Sequence, residues 1–584
     1  MSGMLIGSGK IQLVHNRIGI SAIFAPALTA NSFGELRCEW DERIYSAKSH
    51  RMKGSNITVH ELINRRAAEK LTITKRCAPD CRVTNMPLPE ASMVLRLIES
   101  TEGVTFRMIP SEKAEFKLLS DYSVGGAKRS VGVITLRSGE GRCEVCRLYL
   151  IPIGEVHFDS MGNLSVSPGR AALILAVGRD PAEIISAASK LIGRLELHLP
   201  VVESRLYEES SAYWRRRLSV LDRKPQWLRE ISEECALLLL AHFSPDGKSI
   251  AGHSLMRFSD CAAVIECLAE LGFTDEARAA ADLIAEETSH SFSAIQRAEA
   301  QLAYYRATGD DAFLRLRLPV LIRAAMELCG KISDNLLHFR GDEKIFTYGM
   351  LSPDAFDQAS AAATLRFITL AEAVISFVTE HGLRARKGYF EALTKSCRLV
   401  KAAFMNEFYS DGMLWENNPR RRKYQRKPRF IYAVCAVCGK ADHLERENSG
   451  HYVCLACRGK PLPSCNYPDR IPAVTALAYA RGVLPDGILA ELACIHAKRL
   501  LEGSDKLVEG SASGVLLRLM SDLISTGSGN DELRRLCRVL YEHILAEGTI
   551  RAGCYRTVYS PIDEADPAAT AKCMLGLLAA IEIL

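Results

Sequence analysis

The feature that most constrains this chain is a helical hairpin at residues 255–284, because similar units recur from about residue 227 to 582. Gly272 ends the first helix, since glycine adopts the left-handed C-cap conformation without strain, and Thr274 can cap the next helix. The apolar residues of the first helix recur every three or four positions and share one face: Val264, Ile265, Leu268 and Leu271. The same periodicity predicts roughly twelve helices, or about six hairpins, among them helices at 387–408 and 469–481. The phrase Thr308-Gly309-Asp310 is predicted to end one helix and cap the next.

Residues 1–200 have a different pattern. Short runs of β-branched and aliphatic residues are separated there by Gly, Ser, Asn or Pro. Such runs, with few long helical patterns between them, predict an antiparallel β-sandwich. Residues 201–226 are charged and are predicted to be a linker, and residues 227–584 form the predicted helical domain.

Composition limits the class of protein. A chain of 584 residues is longer than one hydrophobic core usually supports, so several domains are expected. The sequence has no uninterrupted apolar run of the ~18 residues that a membrane helix needs, and no membrane partner is predicted. The 19 cysteines are an odd number in a large chain, which favours reduced thiols with some metal ligation over disulfides. These features predict a cytoplasmic protein.

A compact insertion interrupts the helical pattern at residues 419–466. It carries two Cys-x-x-Cys pairs, Cys435 with Cys438 and Cys454 with Cys457, separated by the fifteen residues 439–453. Two such pairs can place four thiolates around one tetrahedral zinc ion, and four thiolates leave no open position for catalysis. The sequence therefore predicts a structural zinc ribbon within the helical domain.

Two weaker signals involve metal and nucleic acid. A second four-thiolate site is one possibility in the β domain, the other being free thiols on strands; the residues concerned are Cys77, Cys81, Cys143 and Cys146. Seven basic residues lie in the range 419–429 beside the ribbon, which allows a nucleic-acid interface or a solvated loop. Only Tyr424 and Phe430 accompany them, and without the seven charges the net charge of +5 becomes 5 − 7 = −2. Nucleic acid is therefore not the favoured partner.

A β domain followed by six helical hairpins resembles the six-hairpin glycosidase superfamily, whose (α/α)6 toroid occurs in proteins of the glucoamylase, trehalase and maltose-phosphorylase kind. The phrases that carry the resemblance are LGFTDEARAAADLI at 271–284, AYYRATGDDAFL at 303–314 and LLHFRGDEKIFTYGMLSP at 336–353. The resemblance covers nearly the whole chain except residues 419–466. It implies a β-sandwich followed by an (α/α)6 toroid, with the active site in loops at one end of the ring.

The resemblance also implies catalytic residues. In inverting hydrolases of this superfamily the general acid lies in the loop after the fifth helix, and the general base lies between the eleventh and twelfth helices. By helix count, Glu343 is the candidate acid and Glu564 the candidate base, with Asp563 as an alternative base. A solvated loop carboxylate remains the alternative for Glu343 and Glu564. Inversion needs two carboxyl groups ~6.5–9.5 Å apart, one of them held protonated.

Four residues are candidates for sugar binding: Arg257, Asp260, Tyr348 and Trp415. Related enzymes carry an Arg-Asp pair beside an aromatic residue at the start of the second helix. In this chain Phe258 and Ser259 separate the two charged residues, and Met256 stands where the aromatic residue is expected. A helix-capping role for Asp260 is the alternative, and the two aromatic side chains could instead belong to the core.

The favoured function is hydrolysis of an α-linked oligosaccharide with inversion. A phosphorylase needs the acid but uses phosphate as the nucleophile, so it remains an alternative. A protein of the same fold that binds a glycan or a protein without catalysis is a third interpretation, because fold does not determine function.

Overall fold

A computed structural model describes residues 4–583 with internal gaps. The gaps are 8–10, 17, 26–31, 41–44, 65–78, 89–90, 139–143, 160, 198, 243–260, 287–293, 340–357, 384–386, 416–429, 435–436, 438–440, 448–451, 456, 461–473, 503–508 and 547–566. The chain forms two compact units, Met1–Met256 with Arg551–Cys554, and Arg257–Ile550 with Tyr555–Leu584. We call the first the β unit and the second the helical unit.

The β unit is built from antiparallel strands, as predicted. They are β1 (Met4–Gly7), β2 (Gln12–Asn16), β3 (Gly19–Phe24), β4 (Gly34–Cys38), β5 (Tyr45–Arg51), β6 (Thr58–Asn64), β7 (Cys81–Leu88), β8 (Met93–Ser100), β9 (Val104–Pro110), β10 (Ala114–Val124), β11 (Ala127–Ser138), β12 (Glu144–Ile153), β13 (Val156–Phe158), β14 (Asn163–Val166) and β15 (Gly169–Gly178). One sheet has the order β1-β2-β3-β4-β9-β14-β13, and the other has the order β10-β11-β12-β15-β8-β7-β6-β5. Alternate apolar residues of both sheets share one buried core.

In the part of the β unit that the structure describes, three α-helices and the 3-10 helix Ser219–Arg223 follow the strands. The α-helices are α1 (Pro181–Leu197), α2 (Leu199–Leu218) and α3 (Gln226–Leu240). Helix α1 covers the second sheet on the face turned away from the shared core. Most of the predicted linker at 201–226 is helical, since it lies in α2, which buries Trp214.

The boundary of the β unit also lies later than predicted, since α3 belongs to it. The buried Gln12 amide of β2 donates to the carbonyl oxygen of Ala241 at 3.0 Å and contacts Nδ1 of His242 at the same distance. Glu234 of α3 pairs with Arg51 at the end of β5. These contacts attach the first helix of the hairpin series to the sheets.

The helical unit follows the predicted series. Its helices are α4 (Cys261–Leu271), α5 (Thr274–Glu286), α6 (Ala294–Thr308), α7 (Asp311–Cys329), α8 (Ala361–Glu380), α9 (Lys387–Phe408), a 3-10 helix (Thr475–Tyr479), α10 (Asp486–Leu501), α11 (Glu509–Ser525), α12 (Asp531–Ala546) and α13 (Pro567–Ile581). Helix α8 has the length and composition to cross a membrane, yet 72% of its apolar window is buried inside the protein.

Six of the described segments contact one another in a cycle. Helix α4 contacts α6, α6 contacts α8, α8 contacts the 3-10 helix, the 3-10 helix contacts α11, α11 contacts α13, and α13 contacts α4. Gly514 of α11 and Gly576 of α13 allow close approach of their helices, because an added Cβ at Gly514 would lie 2.4 Å from the backbone carbon of Lys572. The remaining helices pack on members of this cycle. We call the six segments the inner cycle.

The connections of the helical series alternate in length. Each inner segment except α13, the last helix, is followed by a short turn to the next helix; for example, two residues join α4 to α5 and two join α6 to α7. The connections that enter the inner segments are longer than these turns, although those that enter α6 and α11 have only seven residues each. Consecutive packed helices joined by short turns run antiparallel, so the inner segments are expected to run parallel to one another. The connections that enter them are then expected at one end of the cycle, which we call the mouth.

Candidate functional site

The predicted site residues lie in connections that enter inner segments. Arg257 and Asp260 precede α4, Glu343 and Tyr348 lie between α7 and α8, and Trp415 follows α9. Asp563 and Glu564 lie between α12 and α13. All of these except Trp415 lie outside the described residues, so their roles stay predictions. Among the described helices, counted from α3 with the 3-10 helix included, α7 is the fifth and α12 the eleventh. This is the element order assumed for the two carboxylates.

The two ends of the segment that contains Glu343 lie next to each other in a small sheet. Strands β16 (Ile332–Ser333), β17 (Leu336–Phe339) and β18 (Gln358–Ala359) form a small sheet, in which Phe339 pairs with Gln358. The chain therefore leaves at residue 339 and returns at residue 358 to neighbouring positions. Ser360 caps α8 directly afterwards, its hydroxyl accepting a hydrogen bond from the Ala363 amide at 3.1 Å. This arrangement holds both ends of the connection at the start of an inner helix.

Trp415 is fixed by a small hairpin at the end of α9. Strands β19 (Tyr409–Ser410) and β20 (Met413–Leu414) pair across a turn in which Asp411 and Gly412 have positive φ. The indole Nε1 donates to the Ser410 carbonyl oxygen at 3.1 Å, and the side chain is half-buried. An indole held through its N–H keeps its ring plane in a defined orientation, which suits stacking on a sugar face.

Charged side chains lie one to two helical turns after the first residue of the inner helices. Arg366 of α8 makes two hydrogen bonds to the Glu299 carboxylate of α6, and both side chains are buried. The Arg366 guanidinium also lies 5.8 Å from the ring centroid of Tyr479 in the 3-10 helix. Both residues of the ion pair come five positions after the first residue of their helix, which is about 8 Å along the axis.

A second ion pair joins inner helices that both flank α13. Nη2 of Arg518 in α11 lies 2.6 Å from Oε1 of Glu266 in α4. Asp522, one turn further along α11, pairs with Arg481 at 3.3 Å, and burial raises the pKa of its carboxyl group. No sequence pattern singled out these charged residues, although a glutamate on the apolar face of a helix, such as Glu266 in CAAVIECLAEL, is a usable signal.

The ribbon segment contains a three-stranded antiparallel sheet, with strands β21 (Phe430–Val434), β22 (Ala441–Arg446) and β23 (Tyr452–Cys454). Of the four predicted ligands, Cys454 is buried and Cys457 is exposed; Cys435 and Cys438 lie outside the described residues. The Cys454 amide donates to the Gly459 carbonyl oxygen at 2.8 Å, and Arg458 has a φ of 60°. The chain thus turns tightly just after the second Cys pair, which fits a metal-binding knuckle.

The possible second four-thiolate site is wrong. Cys81 lies in register with Ser100, which pairs with Gly169 at the first position of β15. Cys146 directly precedes Arg147, which pairs with Gly178 at the last position of β15. Ten residues of strand correspond to about 30 Å, so the two thiols cannot bind one ion. Burial raises the pKa of Cys81 to about 12 and that of Cys146 to about 11, as expected for neutral core thiols.

The comparisons with known proteins concern the fold. The sequence matches no protein-family profile and no curated protein sequence. A bacterial glucoamylase solved in complex with acarbose superposes with a TM-score of 0.55 at 9% identity, over 99% of this chain and 93% of that one. This chain therefore shares the glucoamylase fold. Two rhamnosidases are more distant: that from Klebsiella oxytoca has a TM-score of 0.41 at 10% identity over 96% and 97% of the chains, and that from Bacillus sp. GL1 has 0.39 at 9% over 85% and 47%.

Proposed function

We propose that this protein is a glycoside hydrolase whose inner cycle is the (α/α)6 toroid of a glucoamylase-like fold, and that it hydrolyses an α-linked oligosaccharide with inversion. One observation carries the proposal. The connection with Glu343 enters α8, the connection with Asp563 and Glu564 enters α13, and these helices are three steps apart in a cycle of six. Two carboxylates on opposite sides of one opening are what inverting hydrolysis requires.

In the proposed mechanism, Glu343 is the protonated general acid and donates to the glycosidic oxygen as the bond breaks. Glu564, or Asp563, is the general base and removes a proton from a water molecule that attacks the anomeric carbon from the other face. The glycosidic bond breaks while the new C–O bond forms, so the anomeric configuration inverts. Arg257 and Asp260 precede α4, the inner neighbour of α13, and are proposed to bind sugar hydroxyls. Tyr348 and Trp415 are proposed to stack on sugar rings.

A panel of α-linked oligosaccharides tests the proposal. The purified chain is incubated with each sugar, with and without phosphate, and the first anomer formed is followed by proton NMR. We expect free reducing sugar in the β configuration, in amounts that do not depend on phosphate. A sugar phosphate formed only with phosphate present would instead identify a phosphorylase. No product from any sugar, with a ligand-dependent rise in melting temperature, would identify a non-catalytic binding protein.

We also propose that the four ribbon cysteines bind one structural zinc ion. Purified protein is expected to contain about one zinc per chain by mass spectrometry, and Cys454→Ser should lose it, because three thiolates hold zinc far less tightly than four. Cys81→Ala is the matched control, since that thiol lies in the β unit, and it should keep the full zinc content. Wild-type protein without zinc, or Cys454→Ser with undiminished zinc, would contradict this assignment.

A further inference from the structure

The core of the β unit contains a cluster of basic side chains between its two sheets. His15 of β2 lies in one sheet, and His60 of β6 and Arg96 of β8 lie in the other. Their relative exposures are 1%, 1% and 0%, and the two imidazole centroids are 4.7 Å apart. Two histidine rings, one from each sheet, thus contact each other inside a mainly apolar core.

Neutral polar groups hold the second sheet's members of the cluster. His60 contacts the Ser49 hydroxyl through Nδ1 at 2.8 Å and the Thr58 hydroxyl through Nε2 at 3.3 Å. Thr58 and Asn85 are cross-strand partners, as are Asn85 and Arg96, and Nη1 of Arg96 donates to the Asn85 amide oxygen at 2.9 Å. Nη2 of Arg96 donates to the Ile18 carbonyl oxygen. These hydrogen bonds fix the positions of His60 and Arg96.

The charges that face the rings are of one sign. Arg96 lowers the pKa of both histidines, His60 also lowers that of His15, and His50 also lowers that of His60. Among the described residues, no carboxylate acts on either ring. Cys38 and Cys81 lie near Arg96, and burial keeps the Cys81 thiol neutral. The Phe106 ring lies 4.9 Å below the guanidinium. A proton on either imidazole would therefore meet a buried positive charge with no anion to balance it.

Several nitrogen atoms of the cluster are also shielded from solvent. Neither ring nitrogen of His15 has solvent-exposed surface or a well-aligned hydrogen bond among the described residues, and the same holds for Nε of Arg96. The Gly19 backbone raises the pKa of His15, but this effect is smaller than the lowering by burial, His60 and Arg96. Because these atoms have no solvent-exposed surface among the described residues, an imidazolium formed here would lose most of its hydration. Burial is the main reason that the pKa of His60 is lowered to about 3, and it also lowers the pKa of His15.

We propose that the contact between His15 and His60 is an acid-sensitive latch, a contact that stabilises the packing of the two sheets of the β unit only while both rings are neutral. In the open state the rings are hydrated and regain a pKa of about 6.5, so opening takes up two protons at pH values below that. Because the closed state binds fewer protons, closure weakens as the pH falls through about 6.5. Acid thus increases the population of the open state, in which the two sheets are apart.

Hydrogen exchange of the full chain tests the latch. After correction for intrinsic rates, the opening constant of β2 and β6 amides should rise about 60-fold between pH 6 and pH 5, since each histidine of pKa ~6.5 contributes about eightfold. His15→Phe and His60→Gln should each reduce the rise to about eightfold, and the double variant should nearly abolish it. His157→Gln, whose ring is exposed, is the matched control and should keep the 60-fold rise.

Two results would overturn the proposal. One is a wild-type rise of tenfold or less, and the other is a double variant that opens as steeply with acid as wild type. If the variants do not fold, NMR of selectively labelled wild-type histidines decides the question. The His15 and His60 signals should remain those of neutral rings at pH 5.5, whereas titration of either ring near pH 6.5 in the folded protein would exclude a latch.

Discussion

Glu343→Gln is expected to lower kcat by about 10²–10⁴-fold on an α-linked oligosaccharide, because glutamine cannot protonate the leaving oxygen. The melting temperature should stay close to that of wild type, since the change is nearly isosteric. Steady-state kinetics on the best substrate of the panel provides the measurement. Asp342→Asn, one residue earlier in the same connection, is the matched control and should keep most of the activity. A Glu343→Gln variant with wild-type kcat would refute the assignment of the acid.

A substrate whose leaving group needs no proton distinguishes the role of the general acid from that of the general base. Fluoride leaves without general-acid assistance, so Glu343→Gln should hydrolyse the matching α-glycosyl fluoride at nearly the wild-type rate. The base is still required to activate water, so Glu564→Gln should lose activity on both substrates. If Asp563→Asn rather than Glu564→Gln shows this double loss, Asp563 is the base. Loss of fluoride hydrolysis in Glu343→Gln would contradict its role as the acid.

The second large effect concerns the buried ion pair of the inner cycle. Glu299→Ala should reduce the free energy of unfolding of the helical unit by about 3–5 kcal/mol, because it leaves the Arg366 guanidinium buried without its anion. Chemical denaturation followed by far-UV circular dichroism measures the change, since helices dominate that signal. The exposed pair of Lys498 with Glu532 is the comparison, and Glu532→Ala should cost less than about 1 kcal/mol.

A double replacement tests whether the cost arises from the unpaired charge. Glu299→Leu combined with Arg366→Met removes both charges and keeps similar volume, so most of the stability lost in Glu299→Ala should return. A Glu299→Ala variant within about 1 kcal/mol of wild type would contradict the burial of this pair. If the double variant is no more stable than Glu299→Ala, packing rather than charge determines the effect.

Local chemistry made the helices predictable from the sequence. Helix α9 has the predicted bounds 387–408, and Asp310 caps α7 as the Thr308-Gly309-Asp310 phrase indicated, its carboxylate accepting from the Phe313 amide at 2.9 Å. The helix predicted at 469–481 is described only as the short 3-10 helix Thr475–Tyr479, followed by Gly482 with a φ of 75°. Periodicity alone does not distinguish a short 3-10 segment from a longer α-helix.

Contacts between distant residues could not be predicted in this way. Glu266 and Arg518 are 252 positions apart, and their pairing depends on the closure of the inner cycle. His15 and His60 meet because two sheets face each other, and β-strand patterns do not specify which inward residues touch across a core. The helical structure of the linker at 201–226 was not predicted, because a charged helix exposed on one side resembles a polar connection. Sequence patterns indicated the elements, while their tertiary arrangement determined the charge clusters.

The central claim is that two carboxylates, far apart in the sequence, face each other across the mouth of the inner cycle. The most direct test is a crystal structure of the Glu343→Gln variant with an uncleaved oligosaccharide bound. The account predicts that the side chain of residue 343 and the carboxyl group of Glu564 or Asp563 lie ~6.5–9.5 Å apart on opposite sides of one glycosidic bond. Residue 343 on an outer surface, remote from residues 563–564, would contradict it.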